Sequence, residues 1–539
     1  MKNLNFSLLL TALWALGLNA FAQGDIIWKR NFGGSDLDGF YYVVKVPDGI
    51  VGIGASYGQS LGTGDWTGVT GNGNDDAIIV KYDDSGNVVW KRNFGGSGIE
   101  EFYSGTAVPD GVVVVGYSAA ESFGNGDWTG VTGKGESDAI IIKYDNNGNV
   151  VWRKNFGGND RDEFFSVTTV PDGVVAVGYS YSRSFGNGDW VGVTEKGSGD
   201  CIIVKYDNDG NVIWKKNFGG SVNNYYYCVT AVSDGIIAAG ESDLDGGDWG
   251  DEVGNGSLDA IIVKYDNDGN VVWKKNFGGS SWDVFRSLMA VPDGIIAVGG
   301  ADEESFGNGD WADVAGKGGS DAIIVKYDNN GNVVWKKNFG GSSWDEFYSV
   351  AAVSDGIIAA GESFEESFSN GDWENITGKG EYDAIMVKYD NTGNILWKEN
   401  FGGIANDWYN CITSAADVIY AAGASDGESF DTGDWTGVTG NGDMDAFIIK
   451  YGADRTNIPQ LAPPTSGLTV YPNPANDKAL ISVPASLASP TIRIFDMTGK
   501  IAAAYPCTGA TTTVDVSQLQ PGIYFIEVAG KTGKLLIKR

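Results

Sequence analysis

One pattern of apolar and polar positions recurs along most of the chain. In residues 321–341, DAIIVKYDNNGNVVWKKNFGG, two apolar runs flank a polar turn that contains Asn and Gly. Turns of this type supply the positive φ that short hairpins need, so the stretch predicts a β-hairpin. The apolar runs are continuous rather than alternating, which indicates a sheet covered on both faces.

Near-copies of this hairpin recur, and one copy is divided between the two ends of the array. Complete copies begin at Asp76, Asp138, Asp200, Asp259, Asp321 and Asp383. A first half, DAFIIKYGA, stands at 445–453 with no second half after it. A second half, GDIIWKRNFGG, stands at 24–34 with no first half before it.

The repeat unit is about 62 residues long and contains four strand signals. Seven such units predict an all-β fold, a seven-bladed β-propeller with four-stranded antiparallel blades. An open strand edge is a pairing hazard, so we expect residues 25–31 to pair beside 445–451 and close the ring. A β-solenoid is the alternative, but it does not explain the divided hairpin.

Other segments differ from the repeats in composition. Residues 1–22 have a positive start, an apolar run and Ala20-Phe21-Ala22, which predicts a secretory signal peptide. The propeller then covers 23–453, and 454–467 form a Pro-rich linker. Residues 468–539 contain seven short strand signals and predict a small Ig-like β-sandwich. We expect no transmembrane segment, since no later run of 18 apolar residues occurs.

Four blocks in the last segment carry a family resemblance. They are LTVYPNP at 468–474, IFDMTGK at 494–500, LQPGIY at 519–524 and the basic tail GKLLIKR at 533–539. In this order they resemble the type A C-terminal sorting domain of type IX secretion. The resemblance implies export across the outer membrane of a Gram-negative bacterium by the type IX machinery. It also implies removal of this domain, with the rest released or anchored on the cell surface.

The array itself resembles the Trp-Lys-x-x-Gly-Gly-Ser/Asp-Gly propeller repeats that often accompany such sorting domains. That family implies no defined reaction.

Composition removes several classes of function. The chain contains no histidine, which excludes His-based acid–base catalysis, Ser-His-Asp triads and His-ligated zinc. A net charge of −33 disfavours nucleic acid as a partner. The cysteines form no disulfide framework, so we expect each to act as a small buried apolar residue. They are Cys201, Cys228, Cys411 and Cys507.

An acidic column precedes the innermost strand of each predicted blade, where it would surround the mouth of the central channel. Its members are Asp38, Glu100, Asp162, Asn224, Asp283, Asp345 and Asp407. Carboxylates are the ligands that Ca²⁺ prefers, so the six acids are candidate metal ligands. The alternative is that each caps backbone amides of its own loop.

Two sets of tryptophans are candidates for stacking on sugar rings. The Gly-Asp-Trp tryptophan recurs in every copy, and its alternative role is to plug its loop onto the blade. A second set occurs in three copies only, in what the sequence predicts to be the interblade loop. This set, Trp282, Trp344 and Trp408, supplies the ligand-binding candidates.

Near-identical blades favour repeated weak binding over a single asymmetric catalytic site. We therefore predict a secreted or cell-surface, non-enzymatic binding protein for a glycan, protein or cation, with no catalytic residues assigned. The alternatives are a secreted polysaccharide-acting enzyme, either a glycoside hydrolase or a lyase, and a structural surface protein. Glycoside hydrolysis needs only two suitably spaced carboxylates, and this chain has many.

Overall fold

The computed structural model describes two compact units, residues 1–455 and 456–539. In the first unit it describes residues 26–250, 252–416 and 418–452. In the second it describes 469–471, 475–482, 491–496, 500–507, 511–528 and 531–538. The predicted signal peptide (1–22) and the predicted linker (454–467) lie outside the described residues.

Seven four-stranded antiparallel sheets make up the first unit, which confirms the predicted propeller. Blade one contains β2 (Asp38–Val46), β3 (Gly49–Tyr57), β4 (Asp75–Tyr82) and β5 (Val88–Phe94). Blade two contains β6 (Glu100–Val108), β7 (Gly111–Ala119), β8 (Ser137–Asp145) and β9 (Val150–Phe156). Blade three contains β10 (Asp162–Val170), β11 (Gly173–Tyr181), β12 (Gly199–Tyr206) and β13 (Val212–Phe218).

The remaining blades repeat this plan. Blade four contains β14 (Asn224–Val232), β15 (Gly235–Ser242), β16 (Asp259–Tyr265) and β17 (Val271–Phe277). Blade five contains β18 (Asp283–Val291), β19 (Gly294–Asp302), β20 (Ser320–Tyr327) and β21 (Val333–Phe339). Blade six contains β22 (Asp345–Val353), β23 (Gly356–Phe364), β24 (Tyr382–Tyr389) and β25 (Ile395–Phe401).

Blade seven joins the two ends of the array. Its strands are β26 (Asp407–Ala415), β27 (Val418–Asp426), β28 (Met444–Gly452) and, from the start of the array, β1 (Ile26–Phe32). β1 pairs antiparallel with β28, in a register that runs from Ile26 opposite Tyr451 to Phe32 opposite Ala446. The predicted closure is therefore confirmed, and no blade is left with three strands.

A clasp between neighbouring blades accompanies this pairing. Trp28 of β1 is 8% exposed and lies over Gly86, in the hairpin turn of blade one. A Cβ on Gly86 would come within 2.9 Å of the indole, and the residue has φ +79°, so only glycine fits. The same contact joins Trp90 to Gly148 in the next blade. The closing strand thus carries the same interblade contact as an ordinary fourth strand.

The face that bears the short turns is held by ion pairs. In six blades a buried lysine of the third strand binds the aspartate of the turn between the first and second strands. The pairs are Lys81–Asp48, Lys143–Asp110, Lys205–Asp172, Lys264–Asp234, Lys326–Asp293 and Lys388–Asp355. The opposite face has ion pairs of its own, in which a lysine of one blade binds the Gly-Asp-Trp aspartate of the next, as in Lys196–Asp248 and Lys317–Asp372.

The four cysteines are free thiols, and three of them are buried as the sequence predicts. Cys201, Cys228 and Cys411 are buried, and Cys507 is half-buried.

The second unit consists of two sheets around one core. One sheet has β29 (Thr469–Tyr471), β30 (Lys478–Ser482) and β33 (Thr511–Asp515). The other has β31 (Thr491–Phe495), β32 (Ile501–Pro506), β34 (Gly522–Val528) and β35 (Lys531–Ile537). Ile481 and Val514 of the first sheet share a buried cluster with Ile494 and Ile526 of the second. This is the seven-stranded sandwich that the sequence predicts.

Candidate functional site

The acidic column binds donors from its own blade. Asp38 is 1% exposed, and its two oxygens accept hydrogen bonds from Ser56 at 2.6 Å, Ser60 at 2.7 Å and the backbone N–H of Gly34 at 2.8 Å. Trp66 Nε1 of the Gly-Asp-Trp loop adds a fourth bond at 2.8 Å. Both oxygens are thus satisfied inside one blade, and the carboxylate ties the long loop to the inner strand.

The other predicted metal ligands lie in equivalent positions. Glu100, Asp162, Asp283, Asp345 and Asp407 are all fully buried, and each accepts a hydrogen bond from the N–H of the glycine four residues earlier, in the loop that leads into its inner strand. Across the described ranges, no three acids or thiols gather where they could hold a metal ion. A Ca²⁺ site on these six residues remains a prediction, and the contacts around them favour the capping role.

The Gly-Asp-Trp tryptophans are buried and anchor their loops to the blades. All seven are at most 1% exposed: Trp66, Trp128, Trp190, Trp249, Trp311, Trp373 and Trp435. Each packs edge-on against the phenylalanine of Asn-Phe-Gly-Gly, as Trp66 does against Phe32 at a centroid distance of 4.8 Å. A ring buried on both faces cannot stack on a sugar, so the interpretation of these residues as sugar platforms is wrong.

The blades differ from one another mainly around the channel mouth, which we define by three columns of residues. The second residue of the inner strand is Gly39, Glu101, Glu163, Tyr225, Val284, Glu346 or Trp408. The fourth is Tyr41, Tyr103, Phe165, Tyr227, Arg286, Tyr348 or Asn410. The residue opposite the first column is Ala55, Tyr117, Tyr179, Glu241, Gly300, Glu362 or Ala424.

The second of these columns forms a continuous belt of side chains across neighbouring blades. Ring centroids are 6.0 Å apart between Tyr41 and Tyr103, 5.2 Å between Tyr103 and Phe165, and 5.4 Å between Phe165 and Tyr227. The Arg286 guanidinium continues the belt, 4.9 Å from the Tyr227 centroid. Polar and charged groups that differ from blade to blade are therefore brought together at one place.

The arc over blades four to six contains the arginine and two of the predicted ligand-binding tryptophans. Arg286 Nε donates to Glu346 at 2.8 Å, and its guanidinium lies 5.5 Å from the Trp282 centroid. Trp282 Nε1 donates to Glu241 at 2.8 Å, which fixes the indole. Trp344 is stacked on Trp282 at 6.2 Å and 29°, and it is 36% exposed. Trp282 and Trp344 form what we call the tryptophan platform.

Trp408 occupies a different position from the one that the sequence predicts. It is the second residue of β26 and not part of the interblade loop, and it is half-buried. Trp282 and Trp344 precede their strands by one residue each. The structure thus brings two of the three candidates together, and Trp408 lies in another column of the mouth.

Sequence reasoning overlooked the glutamates, tyrosines and Arg286 of the mouth. The signal was present as columns that vary between otherwise near-identical repeats. Positions shared by all seven copies, such as Asn-Phe-Gly-Gly, build the blade, whereas the mouth positions change in size and charge from copy to copy.

Comparison with known proteins identifies the second unit. Residues 469–539 match the family described as secretion system C-terminal sorting domain. These residues form a sorting domain of the type IX system. The sorting domain is handled by the type IX secretion machinery, and it marks the protein for a secreted or cell-surface location. Within the described part of the chain, no helix is long and apolar enough to cross a bilayer.

Similarity of the array to known proteins is limited. The regulatory protein FlaEY of Caulobacter vibrioides (strain ATCC 19089 / CIP 103742 / CB 15) is 26% identical over 183 residues, which cover 32% of this chain and 19% of that protein. This chain thus matches about a fifth of that relative's length.

Two solved structures have a distant structural similarity to this chain. The WD40 β-propeller domain of Doa1 has a TM-score of 0.39 at 12% identity, covering 79% of this chain and 97% of its own. Phage phi92 endosialidase has a TM-score of 0.37 at 10% identity, covering 88% and 79%. Both scores are too low to support an inference about function, and the fold assignment depends on the strand pairing above.

Proposed function

We propose that this secreted propeller is a non-enzymatic binding protein that holds a carbohydrate on the tryptophan platform. The observation that carries the proposal is the exposed Trp344 indole, stacked on an indole that Glu241 fixes in place. Large rigid aromatic surfaces with few rotatable bonds are effective binding elements, and they are costly to expose without a ligand.

Polar groups suited to sugar hydroxyls surround this platform. Gly300 allows Glu346 and Trp282 to pack closely there, since their side-chain atoms lie within about 3.4 Å of the position that a Cβ would occupy. Arg286 and Glu346 form an ion pair beside it. An apolar platform with a few convergent polar groups beside it is typical of small-molecule recognition.

The mouth's carboxylates in this arc are bound to protein partners, which supports binding rather than turnover. Glu241 accepts from Tyr227 and Trp282, Glu346 from Arg286, and Glu362 from Tyr348 at 2.9 Å. A glycoside hydrolase instead needs one carboxyl free to protonate the leaving group and a second free to attack or to activate water.

An oligosaccharide array probed with the purified protein tests this function. We expect binding of one glycan class, and a loss of about tenfold in affinity when Trp344→Ala removes the platform, equivalent to about 1.4 kcal/mol. Ile404→Ala is the matched control, because Ile404 is 60% exposed on the same long-loop face but lies in the loop before blade seven. No bound glycan, or equal binding by the Trp344 variant, would contradict the proposal, and product release from a polysaccharide would favour the enzyme.

A further inference from the structure

The opposite arc of the channel mouth, over blades one and two, also combines aromatic rings with carboxyl groups, but among the described residues no arginine or lysine forms an ion pair with its acids, Glu101 and Asp75. Tyr103 stacks on Tyr117 at 5.7 Å and lies 6.0 Å from Tyr41. Glu101 is half-buried among these rings and interacts with Tyr103. Burial, together with the nearby Glu163 and Asp75, raises the pKa of Glu101 to about 7.

Asp75 is a second acid of this arc. It is 9% exposed, and within the described ranges its carboxylate accepts no hydrogen bond and forms no ion pair. It lies opposite Tyr57 in the β3–β4 register, and it interacts electrostatically with Tyr41, Tyr117 and Glu101. An acid on a residue that is largely enclosed normally has a charged or hydrogen-bonding partner.

The chain shows which group completes such a site. Arg286 of blade five places its guanidinium against Glu346 of blade six, 60 residues further along, and over the rings of Tyr227 and Trp282. The same offset separates Tyr41 from Glu101. Where blade five supplies an arginine, blade one supplies a tyrosine, and the carboxylate of the following blade is left without a cation.

From these observations we infer that the arc formed by Tyr41, Tyr57, Asp75, Glu101 and Tyr117 is a binding site for an organic cation, a guanidinium or ammonium group from outside the protein. Two carboxylates supply the charge, and the tyrosine rings supply faces for cation–π contact. Tyr57 is 36% exposed and lies at the entrance. This site is separate from the tryptophan platform, so either site can fail without the other.

Calorimetric titration with N-acetylarginine amide tests the inference, with the citrulline analogue as the neutral isostere and Ca²⁺ as a hard cation. We expect the arginine amide to bind, the citrulline amide and Ca²⁺ not to bind, and Glu101→Gln or Asp75→Asn to weaken binding at least tenfold. An arginine-containing peptide distinguishes the source of the group, since tighter binding of the peptide points to a protein partner and equal binding to a small guanidinium compound. Glu428→Gln is the matched control, because Glu428 is an exposed acid on the same face in blade seven.

A second variant tests the site without an external ligand. Tyr41→Arg places a guanidinium at the position that Arg286 occupies in blade five, 60 residues before Glu101. We expect it to abolish binding of the arginine amide and to raise the melting temperature, because it gives Glu101 and Asp75 a counter-ion. Absence of arginine binding to the unmodified protein, or unchanged binding by the Glu101 and Tyr41 variants, would overturn the inference.

Discussion

At the scale of single residues, the methylene group by which Glu is longer than Asp determines whether a Gly-Asp-Trp tryptophan has a hydrogen-bond acceptor for its Nε1–H. In blade three, Trp190 Nε1 donates to Asp162 at 2.9 Å. In blade two the acid is Glu100, whose oxygens bind Ser118 and Gly96 instead, and Trp128 Nε1 is buried without a hydrogen-bond partner. A buried donor without an acceptor costs about 1–3 kcal/mol.

Replacing each of these two acids by the other type should therefore change the free energy of unfolding in opposite directions. Glu100→Asp restores in blade two the geometry of blade three, and we expect it to raise the free energy of unfolding by about 1 kcal/mol. Asp162→Glu should lower it by a similar amount, since it removes the acceptor of Trp190. Urea denaturation gives both values, and a shift of both variants in the same direction would contradict this account.

At the scale of elements, β1 holds the ring closed without being linked covalently to its hairpin partner. Its side chains pack in the same cluster as β28, β27 and β2, including Trp28, Tyr420 and Ile448. The blade that it completes therefore depends on a contact between residues more than 400 positions apart in the sequence.

Trp28→Ala tests how much the ring depends on this strand. Removing a buried tryptophan costs about 3–5 kcal/mol, so we expect a clear drop in melting temperature. The control is Trp90→Ala, which removes the equivalent clasp from blade one, where the fourth strand is joined to the third by its own turn. Only the Trp28 variant should also release β1 and aggregate through the exposed edge of β28, as light scattering would show. Equal aggregation of the two variants would argue against a special role for closure.

Closure illustrates what the sequence is able to predict. Each half of the divided hairpin, at 24–34 and at 445–453, is recognisable from its own local sequence. Each half is also the part that the other lacks, and a closed ring explains this arrangement. The mouth was not predictable in this way, since Tyr41, Glu101 and Asp75 come together only through the packing of neighbouring blades. The position of Trp408 was missed for a local reason, namely that the inner strand begins one residue earlier than the tryptophan.

At the scale of the whole molecule, the propeller buries many carboxyl groups in equivalent positions. Burial raises the pKa of Glu100 to about 7 and the pKa of Asp162, Asp283 and Asp445 to about 6. The aspartates of the hairpin turns behave in the opposite way. In Asp145, hydrogen bonds from the side chain and backbone of Asn149 lower the pKa.

These opposite shifts predict a protein that is most stable in mildly acidic solution. A group whose pKa is raised on folding binds more protons in the folded state, so its effect on stability becomes unfavourable as the pH rises from about 4 to 7. Each such group contributes on the order of 1–3 kcal/mol. The turn aspartates stabilise the fold above their ordinary pKa, and this contribution is lost only below about pH 4. The optimum should therefore lie near pH 5.

Urea denaturation at pH 5 and pH 8 in 0.5 M NaCl measures this effect, since the salt screens the general repulsion expected of a net charge of −33. We expect a higher midpoint at pH 5. Glu100 is fully buried, and Glu100→Gln removes its titrating carboxyl group. This variant should therefore show a smaller difference between the two midpoints. Glu428→Gln, on an exposed loop, should leave the difference unchanged. A midpoint that rises from pH 5 to pH 8 would mean that the hydrogen bonds around the buried acids outweigh their desolvation, and that the acidic column stabilises the blades as ionised caps.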